Sequence, residues 1–215
     1  MRKYRYSKKY FREHFKGSYQ SERKNPTNRK KLQEIKALGY TKGKLLDVGC
    51  AYGFFLALAE KSGFKTYGID TSSYALSQTR KNTRAKLFKL DLSKDTIPIS
   101  DIDVCVMLNT LEHIPNYLHV LKEIRKSLSK NGLLLIFVPT GNRWLTDETH
   151  INYFTTKSLR FVLEQLGFQI IRIGEEGGKL QIPLGLLRFL LRGNANFNFV
   201  LEKTGSFISC YATKG

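Results

Sequence analysis

The sequence contains few cysteines and no long apolar run, and each absence excludes a class of protein. Cys50, Cys105 and Cys210 are far apart and form no C-x-x-C pair, so neither a disulfide framework nor a zinc knuckle is indicated, and no metal site is predicted. The longest apolar runs, such as residues 133–138, are too short to span a bilayer. Residues 1–6 are basic and aromatic, unlike a secretory signal. We therefore expect a soluble, cytoplasmic protein.

Acidic residues are also scarce, and the basic excess is concentrated near the amino terminus. The chain has 18 Asp and Glu against 36 Lys and Arg, and residues 1–44 carry 15 basic residues against 3 acidic ones. Residues 1–26, the basic arm, interleave these charges with six aromatic side chains: Tyr4, Tyr6, Tyr10, Phe11, Phe15 and Tyr19. Nucleic-acid binding suits this composition, because phosphates attract the charges and bases stack on the rings. Anchoring of the arm to the rest of the domain, or contact with an anionic membrane or substrate, explains it as well.

Residues 45–54, LLDVGCAYGF, join a short apolar run to two glycines four positions apart. Leu45, Leu46 and Val48 predict a buried strand, followed by a tight turn over residues 49–53 and a helix. Glycine lets the backbone approach a ligand without a Cβ in the way, and the free N–H groups at a helix start attract an electron-rich group. The stretch therefore predicts a site for a nucleotide-like cofactor.

The spacing of this turn indicates which cofactor it serves. The segment D-V-G-C-A-Y-G has neither the third glycine of the dinucleotide fingerprint nor the lysine of the phosphate-binding loop. It resembles the first motif of class I S-adenosylmethionine-dependent methyltransferases, in which an acidic residue, here Asp47, precedes a G-x-x-x-G turn. The resemblance implies S-adenosyl-L-methionine as cofactor and S-adenosyl-L-homocysteine as product. It also implies that Gly49, Cys50, Ala51 and Gly53 pass beside the methionine part of the cofactor.

Acidic residues also follow the next two predicted strands, which cover residues 65–69 and 86–90. A carboxylate at the carboxyl end of the second strand can accept hydrogen bonds from both ribose hydroxyls, so we place Asp70, with the adjacent Thr71, in the cofactor site. Capping of the next helix is the alternative role of this stretch. The resemblance implies that Asp91 meets the adenine amine and that Leu92 lies against the ring.

The fourth and fifth predicted strands lead into segments that face the reacting centre. The apolar run 103–108 is followed by NTLEHI, which resembles the family segment that turns past the sulfonium. This implies that Leu108 and Asn109 supply backbone there and that His113 lines the pocket. The loop after the fifth strand carries His150, whose imidazole can position an acceptor and remove its proton. His150 is therefore the candidate catalytic residue, with a structural role at the join to the next helix as the alternative.

The remaining periodicity completes the predicted elements. The apolar spacing of residues 116–129 predicts a helix that ends at Asn131 and Gly132. A strand over residues 133–138 follows, and later strands are predicted at 168–173 and 207–213.

This alternation of strands and helices predicts a doubly wound α/β fold. The resemblance covers roughly residues 30–174 and the last strand. It implies a Rossmann-like, mostly parallel sheet of seven strands, with an antiparallel last strand inserted beside the sixth.

Two segments fall outside the resemblance. We divide the chain into the basic arm and a methyltransferase domain over residues 27–215, which includes an apolar insert at about 178–204. In related enzymes an amino-terminal segment closes over the cofactor, which makes Tyr19 a candidate contact. The insert carries Arg188 and Arg192, and it can form a lid over an apolar acceptor, a dimer surface or a peripheral membrane contact.

Methyl transfer is the function that these features predict together. We expect a small-molecule, lipid-linked or glycan acceptor and O-methylation, because the apolar insert and the aromatic loop suit such a substrate. RNA methylation through the basic arm is the main alternative, and the oligomeric state stays open. Tyr153 and Lys157 match the Y-x-x-x-K of short-chain dehydrogenases, so an NAD(P)-dependent oxidoreductase is a further alternative, and a non-catalytic scaffold is another.

Overall fold

The computed structural model describes residues 10–11, 25–141, 147–177 and 207–215. The apolar insert and most of the basic arm lie outside these residues, and so do the predictions for Tyr19, Arg188 and Arg192. Across the described ranges, no helix combines the length and apolar character needed to cross a membrane.

The described chain alternates strands and helices. In chain order the elements are α1 (Pro26–Ala37), β1 (Gly43–Val48), α2 (Phe54–Lys61), β2 (Phe64–Asp70), α3 (Ser73–Asn82), β3 (Lys86–Lys89), β4 (Ile102–Leu108), a short 3-10 helix (Leu111–His113), α4 (Tyr117–Ser127), β5 (Leu128–Pro139), α5 (Thr156–Gln165), β6 (Gln169–Glu176) and β7 (Phe207–Thr213). Side chains cap several helices: Asn25 accepts a hydrogen bond from the Thr27 N–H, and Thr155 and Ser158 form a capping box.

The strands form one seven-stranded sheet in the order β3-β2-β1-β4-β5-β7-β6. β7 runs antiparallel to β5 and β6, whereas the other neighbouring pairs are parallel. The carboxyl ends of β1 to β5 therefore meet at one edge of the sheet, where folds of this type bind their ligands. The predicted fold class, including the insertion of the last strand beside the sixth, is confirmed.

One predicted boundary is wrong. The sequence predicted a helix to residue 129 with Gly132 at its end, but α4 ends at Ser127 and β5 begins at Leu128. The pairing of β5 with β4 shifts register between Leu128 and Leu133, so residues 129–132 form an irregularity within the strand. A Cβ on Gly132 would lie 2.7 Å from the carbonyl oxygen of Ile102. This glycine therefore allows two strands to approach closely, and it does not end a helix.

Two apolar clusters cover the two faces of the sheet. Leu46, Val48 and Met107 belong to one cluster, which includes residues of α4 and α5. Leu45 and Val104 belong to the other, which includes residues of α1 and α2. Neighbouring residues of one strand contribute to opposite clusters, which explains the continuous apolar runs. Polar side chains of the central strands are consequently concentrated near the strand ends.

A buried lysine joins α1 to the far side of the sheet. Lys31 is fully buried, and its Nζ donates hydrogen bonds to Glu34 (3.1 Å), Glu176 (2.7 Å) and Ser209 (2.5 Å). Burial opposes ionisation of Glu176, but hydrogen bonds from Lys30 and Lys31 outweigh it and lower the pKa of that carboxyl to about 2. The charged network therefore fixes α1 against β6 and β7.

Candidate active site

The turn between β1 and α2 has a backbone that requires small residues. Gly49 and Gly53 both have φ of +76°, and Ala51 has φ of +45°. A Cβ on Gly49 would collide with the side chain of Thr110, and one on Gly53 would lie 2.5 Å from Cγ2 of Thr79. Positive φ strains any residue with a Cβ, so Ala51 stores strain at the centre of the predicted cofactor site.

Hydrogen bonds to β2 hold this turn in place. The N–H groups of Gly49 and Cys50 both donate to the carbonyl of Ile69, at 2.8 and 3.1 Å. The Cys50 side chain is buried, and burial raises its pKa well above the ordinary value. The thiol therefore packs in the core, and only the backbone of Cys50 is available for the predicted role beside the cofactor.

Asp70 ends β2 with both carboxylate oxygens engaged. Its Oδ2 accepts a hydrogen bond from the Ala51 N–H at 3.0 Å, and its Oδ1 accepts one from the Ser72 N–H at 2.8 Å. Burial raises the pKa of Asp70, although the backbone N–H groups of Ser72, Ala51 and Thr71 partly oppose this rise. Ser72 itself caps α3, so Asp70 is not the N-cap. Each oxygen keeps a lone pair that can accept a ribose hydroxyl.

Asp47 lies inside β1, one residue before the strand ends. Its side chain is buried, and burial together with the nearby Asp70 raises its pKa to about 8. The buried Asp47 therefore lies within the electrostatic influence of a second buried acid, which favours a cationic ligand that lets both ionise.

The third predicted acidic position lies at the same edge. β3 pairs in parallel with β2, and the Leu90 N–H donates to the carbonyl of Asp70 at 3.3 Å. Asp91 follows, and its Oδ1 accepts hydrogen bonds from the N–H and the hydroxyl of Ser93. The Leu92 side chain is 4% exposed and belongs to an apolar cluster of the core. The structure thus gathers Asp47, Asp70 and Asp91 at one edge, with Leu92 directed mainly into the core.

The end of β4 lies beside the glycine turn. Leu108 is partly buried, and Asn109 has φ of +51° and donates its N–H to the carbonyl of Phe137 at 2.8 Å. Thr110, the next residue, occupies the space that a Cβ on Gly49 would need. The segment predicted to turn past the sulfonium is therefore adjacent to the predicted cofactor turn.

His113 and His150 meet in the structure, with their ring centroids 4.8 Å apart. The Nδ1 of His113 lies 2.9 Å from the carbonyl oxygen of Thr149, and the Nε2 of His150 lies 3.5 Å from Oδ2 of Asp147. The N–H groups of Ile151 and Asn152 both donate to the carbonyl of Glu112 at 3.0 Å, which fastens the His150 loop to the 3-10 helix.

Glu112 is a residue of this cluster that the sequence analysis missed. Its side chain is 1% exposed, and burial raises its pKa to about 8, with the Asp147 charge adding to the rise. The ligand atoms of Glu112, His113 and His150 all lie within 4.8 Å of one another. The adjacent Glu-His pair in NTLEHI was the available signal, but the partner histidine is 37 positions away in the sequence.

Two residues of the basic arm lie against the glycine turn. The ring of Phe11, 4% exposed, stacks on Tyr52 with centroids 5.5 Å apart and also lies near Tyr74. Burial raises the pKa of Tyr10 to about 12, and the charges of Asp147, Glu112 and Asp70 add to the rise. Charges of both the cofactor edge and the histidine cluster therefore act on the Tyr10 hydroxyl.

The strand order, the glycine turn and the acidic strand ends define the fold of S-adenosylmethionine-dependent methyltransferases. The sequence matches the family described as methyltransferase domain over residues 19–173, and the chain belongs to this family. The predicted family, enzyme class and cofactor are confirmed at this level. Tyr153 precedes α5 and Lys157 lies within it, so the two do not share a helix as an oxidoreductase pair would require.

The chain is also similar in sequence or in fold to individual methyltransferases. The chain is 30% identical over 129 residues to a ubiquinone biosynthesis O-methyltransferase of Histophilus somni, a match that covers 55% of this chain and 53% of that protein. A SAM-dependent methyltransferase from Archaeoglobus fulgidus has a TM-score of 0.69 at 19% identity, with 95% of this chain and 98% of that chain covered. A Haloferax volcanii methyltransferase, solved with the Trm112 methyltransferase activator, has a TM-score of 0.60 at 16% identity, with 80% and 81% covered. The chain spans about half the length of the curated relatives it matches.

Proposed function

We propose that this chain transfers the methyl group of S-adenosylmethionine to an oxygen atom of a small-molecule or lipid-linked acceptor. The observation that carries the proposal is that Thr110, which lies against Gly49 of the glycine turn, directly precedes the 3-10 helix that carries Glu112 and His113. A cofactor site and a cluster able to handle an acceptor proton are thus adjacent. Relatives named for O-methylation of a small molecule support the choice of acceptor.

The residues of the cofactor site fit S-adenosylmethionine. The glycine turn leaves room for close approach of the backbone, Asp70 has lone pairs for both ribose hydroxyls, and Asp91 lies at the next strand end. Asp47 favours a cation, because a positive charge nearby would let this buried acid ionise. S-adenosylmethionine, when bound, supplies a methyl group on a positively charged sulfonium.

The chain itself mainly holds the acceptor and excludes water. Methyl transfer would form a bond from the acceptor oxygen to the methyl carbon as the carbon–sulfur bond breaks, so alignment by the protein would supply much of the rate. Leu108 and Asn109 would supply the backbone beside this centre, and Phe11 stacks on Tyr52 of the glycine turn. His150, 9% exposed, is the candidate to accept the proton that the acceptor oxygen releases.

Binding of S-adenosylhomocysteine tests the cofactor site directly. Asp70→Asn replaces one accepting oxygen with an NH2 group that cannot accept, so we expect about a tenfold or greater loss of affinity by calorimetry. Asp101→Asn is the matched control, because Asp101 is exposed outside the site. Equal affinities for wild type and Asp70→Asn would refute the assignment of Asp70. Wild-type protein that does not bind the ligand would refute the function.

The acceptor class is tested by activity. Wild-type protein with S-adenosylmethionine should add one methyl group to phenolic or catecholic compounds with an apolar tail, detected by mass spectrometry. Matched compounds that carry an amine in place of the hydroxyl should react more slowly. Methylation of the amines alone, or of RNA alone, would contradict the proposed acceptor.

A further inference from the structure

Glu112 has no adequate partner for a buried carboxyl group. Its side chain is 1% exposed, and among the described residues no other residue donates a hydrogen bond to Oε1 or Oε2. The nearest cationic candidate, Nε2 of His113, lies 3.8 Å from Oε1, which is beyond hydrogen-bond distance. A buried polar group without partners is costly, and such groups are commonly satisfied by a bound ion.

The two histidines are oriented as metal ligands are. A carbonyl oxygen can only accept, so the contact between Nδ1 of His113 and the Thr149 oxygen places the proton on Nδ1 and a lone pair on Nε2. A proton on Nε2 of His150, facing Asp147, likewise leaves the lone pair on Nδ1. Metal-binding histidines usually donate their other ring N–H to a carbonyl or carboxylate in this manner.

The ligand atoms of these three side chains lie close enough together to bind one metal ion. We propose that Glu112, His113 and His150 bind a divalent first-row transition-metal ion. Their ligand atoms lie within 4.8 Å of one another, whereas ligands about 2.1 Å from a tetrahedral zinc ion are about 3.4 Å apart. Small side-chain rotations would shorten the distances between ligand atoms to the spacing that zinc requires. The hydrogen bonds of Ile151 and Asn152 to the Glu112 carbonyl already hold the two backbone segments together.

The donor set selects among metals. Two imidazoles with one carboxylate suit zinc, manganese, iron or cobalt, whereas magnesium and calcium prefer oxygen ligands. Three protein ligands also leave a coordination position for a further molecule, which is typical of catalytic sites. This departs from the sequence prediction of no metal site, which considered only the spacing of cysteines.

The metal would change how the acceptor is activated, and this part rests on the proposed function. An acceptor hydroxyl bound to the open position would have a lowered pKa, so it would release its proton to solvent water without a strong base. His150 would then act as a ligand, and the lowered pKa of the hydroxyl would replace proton transfer to His150.

Zinc binding by the whole chain tests the site. Protein freed of metal with a chelator is titrated with zinc by calorimetry at fixed pH, and with magnesium for comparison. We expect a zinc affinity at least about tenfold above that for magnesium and a loss of at least about tenfold in Glu112→Gln and in His150→Gln. His119→Gln is the matched control, because His119 lies on α4 outside the cluster and contacts Asp95.

The result has two further readouts. Cobalt bound at the site should show visible absorption without an intense sulfur-to-cobalt band, because the three cysteines are buried elsewhere. S-adenosylhomocysteine binding is measured on the same samples. A variant that loses zinc binding but still binds S-adenosylhomocysteine has lost the metal site and has kept the cofactor site. Zinc binding that is weak in wild type, or unchanged in both variants, would overturn the proposal.

Discussion

Replacing Asp47 with asparagine should stabilise the protein at neutral pH. The side chain lies in β1 with 4% exposure, and burial, reinforced by Asp70, raises its pKa from 3.8 to about 8. Folding at neutral pH therefore requires this group to take up a proton that the unfolded chain has released. Asparagine fills nearly the same volume without an ionisable proton, so it removes that requirement.

The sign and size of the effect follow from proton linkage. Between the unfolded and folded pKa values the folded state binds more protons, so the free energy of unfolding falls as pH rises, by about 1.4 kcal/mol per pH unit. From about pH 5 to about pH 7 the loss for one such group is about 3 kcal/mol. This is an upper bound, because water that enters the hollow reduces the cost of ionisation.

The quantity to measure is the difference in free energy of unfolding between Asp47→Asn and wild type, from urea denaturation at both pH values. Groups that titrate alike in both proteins cancel in this difference, including the large basic excess. The variant should gain about 2 kcal/mol on wild type between the two conditions. Asp101→Asn, an exposed aspartate, is the control for a change of charge alone. A difference for Asp47→Asn that stays constant with pH would refute the assignment of a buried, neutral Asp47.

Three further predictions concern the turn, the buried lysine and the arm. Gly49→Ala should abolish S-adenosylhomocysteine binding in calorimetry, because its Cβ meets Thr110 at a positive φ, whereas Gly174→Ala has open space and should bind normally. Lys31→Met should lower the free energy of unfolding in urea by about 2 kcal/mol, because it removes charged hydrogen bonds from a fully buried ammonium to the partly buried Glu34 and Glu176. Lys30→Met at an exposed position should cost less than about 1 kcal/mol. Replacing the five basic residues of 1–9 with glutamine should leave S-adenosylhomocysteine binding intact. If RNA is a substrate, the substitution should weaken salt-dependent polynucleotide binding in filter assays. Equal polynucleotide binding by wild type and variant would exclude the arm as the RNA-binding site.

The parts of the site that the sequence predicted depend on short-range patterns. Asp47, Asp70 and Asp91 each lie at or near the end of an apolar run, and parallel strands bring such positions to one edge without further information. The glycine turn is similar, because its requirement for small residues is encoded within five positions. Periodicity and turn chemistry were therefore sufficient for the strands and the glycine turn, whereas the resemblance implied the seven-stranded sheet with its antiparallel last strand and the role of Asp91.

The parts that the sequence did not predict depend on contacts between distant segments. Glu112 has its unusual environment because the loop carrying His150 folds back onto it, and the adjacent His113 does not by itself indicate this contact in the sequence. Lys31 has the polarity of a surface residue, yet Glu176 and Ser209 of late strands make its burial favourable. Gly132 has the local pattern of a helix end, but its packing against Ile102 decides the boundary.

The place of β7 in the sheet has a consequence for biosynthesis. β6 joins the sheet through β7, so the first five strands can pair before β7 is synthesised, whereas β6 cannot. Until then β5 presents an unpaired edge, which is a hazard for aggregation. Ribosomes that stall before residue 207 would therefore release chains with an open sheet, and these are the chains that chaperones should preferentially bind.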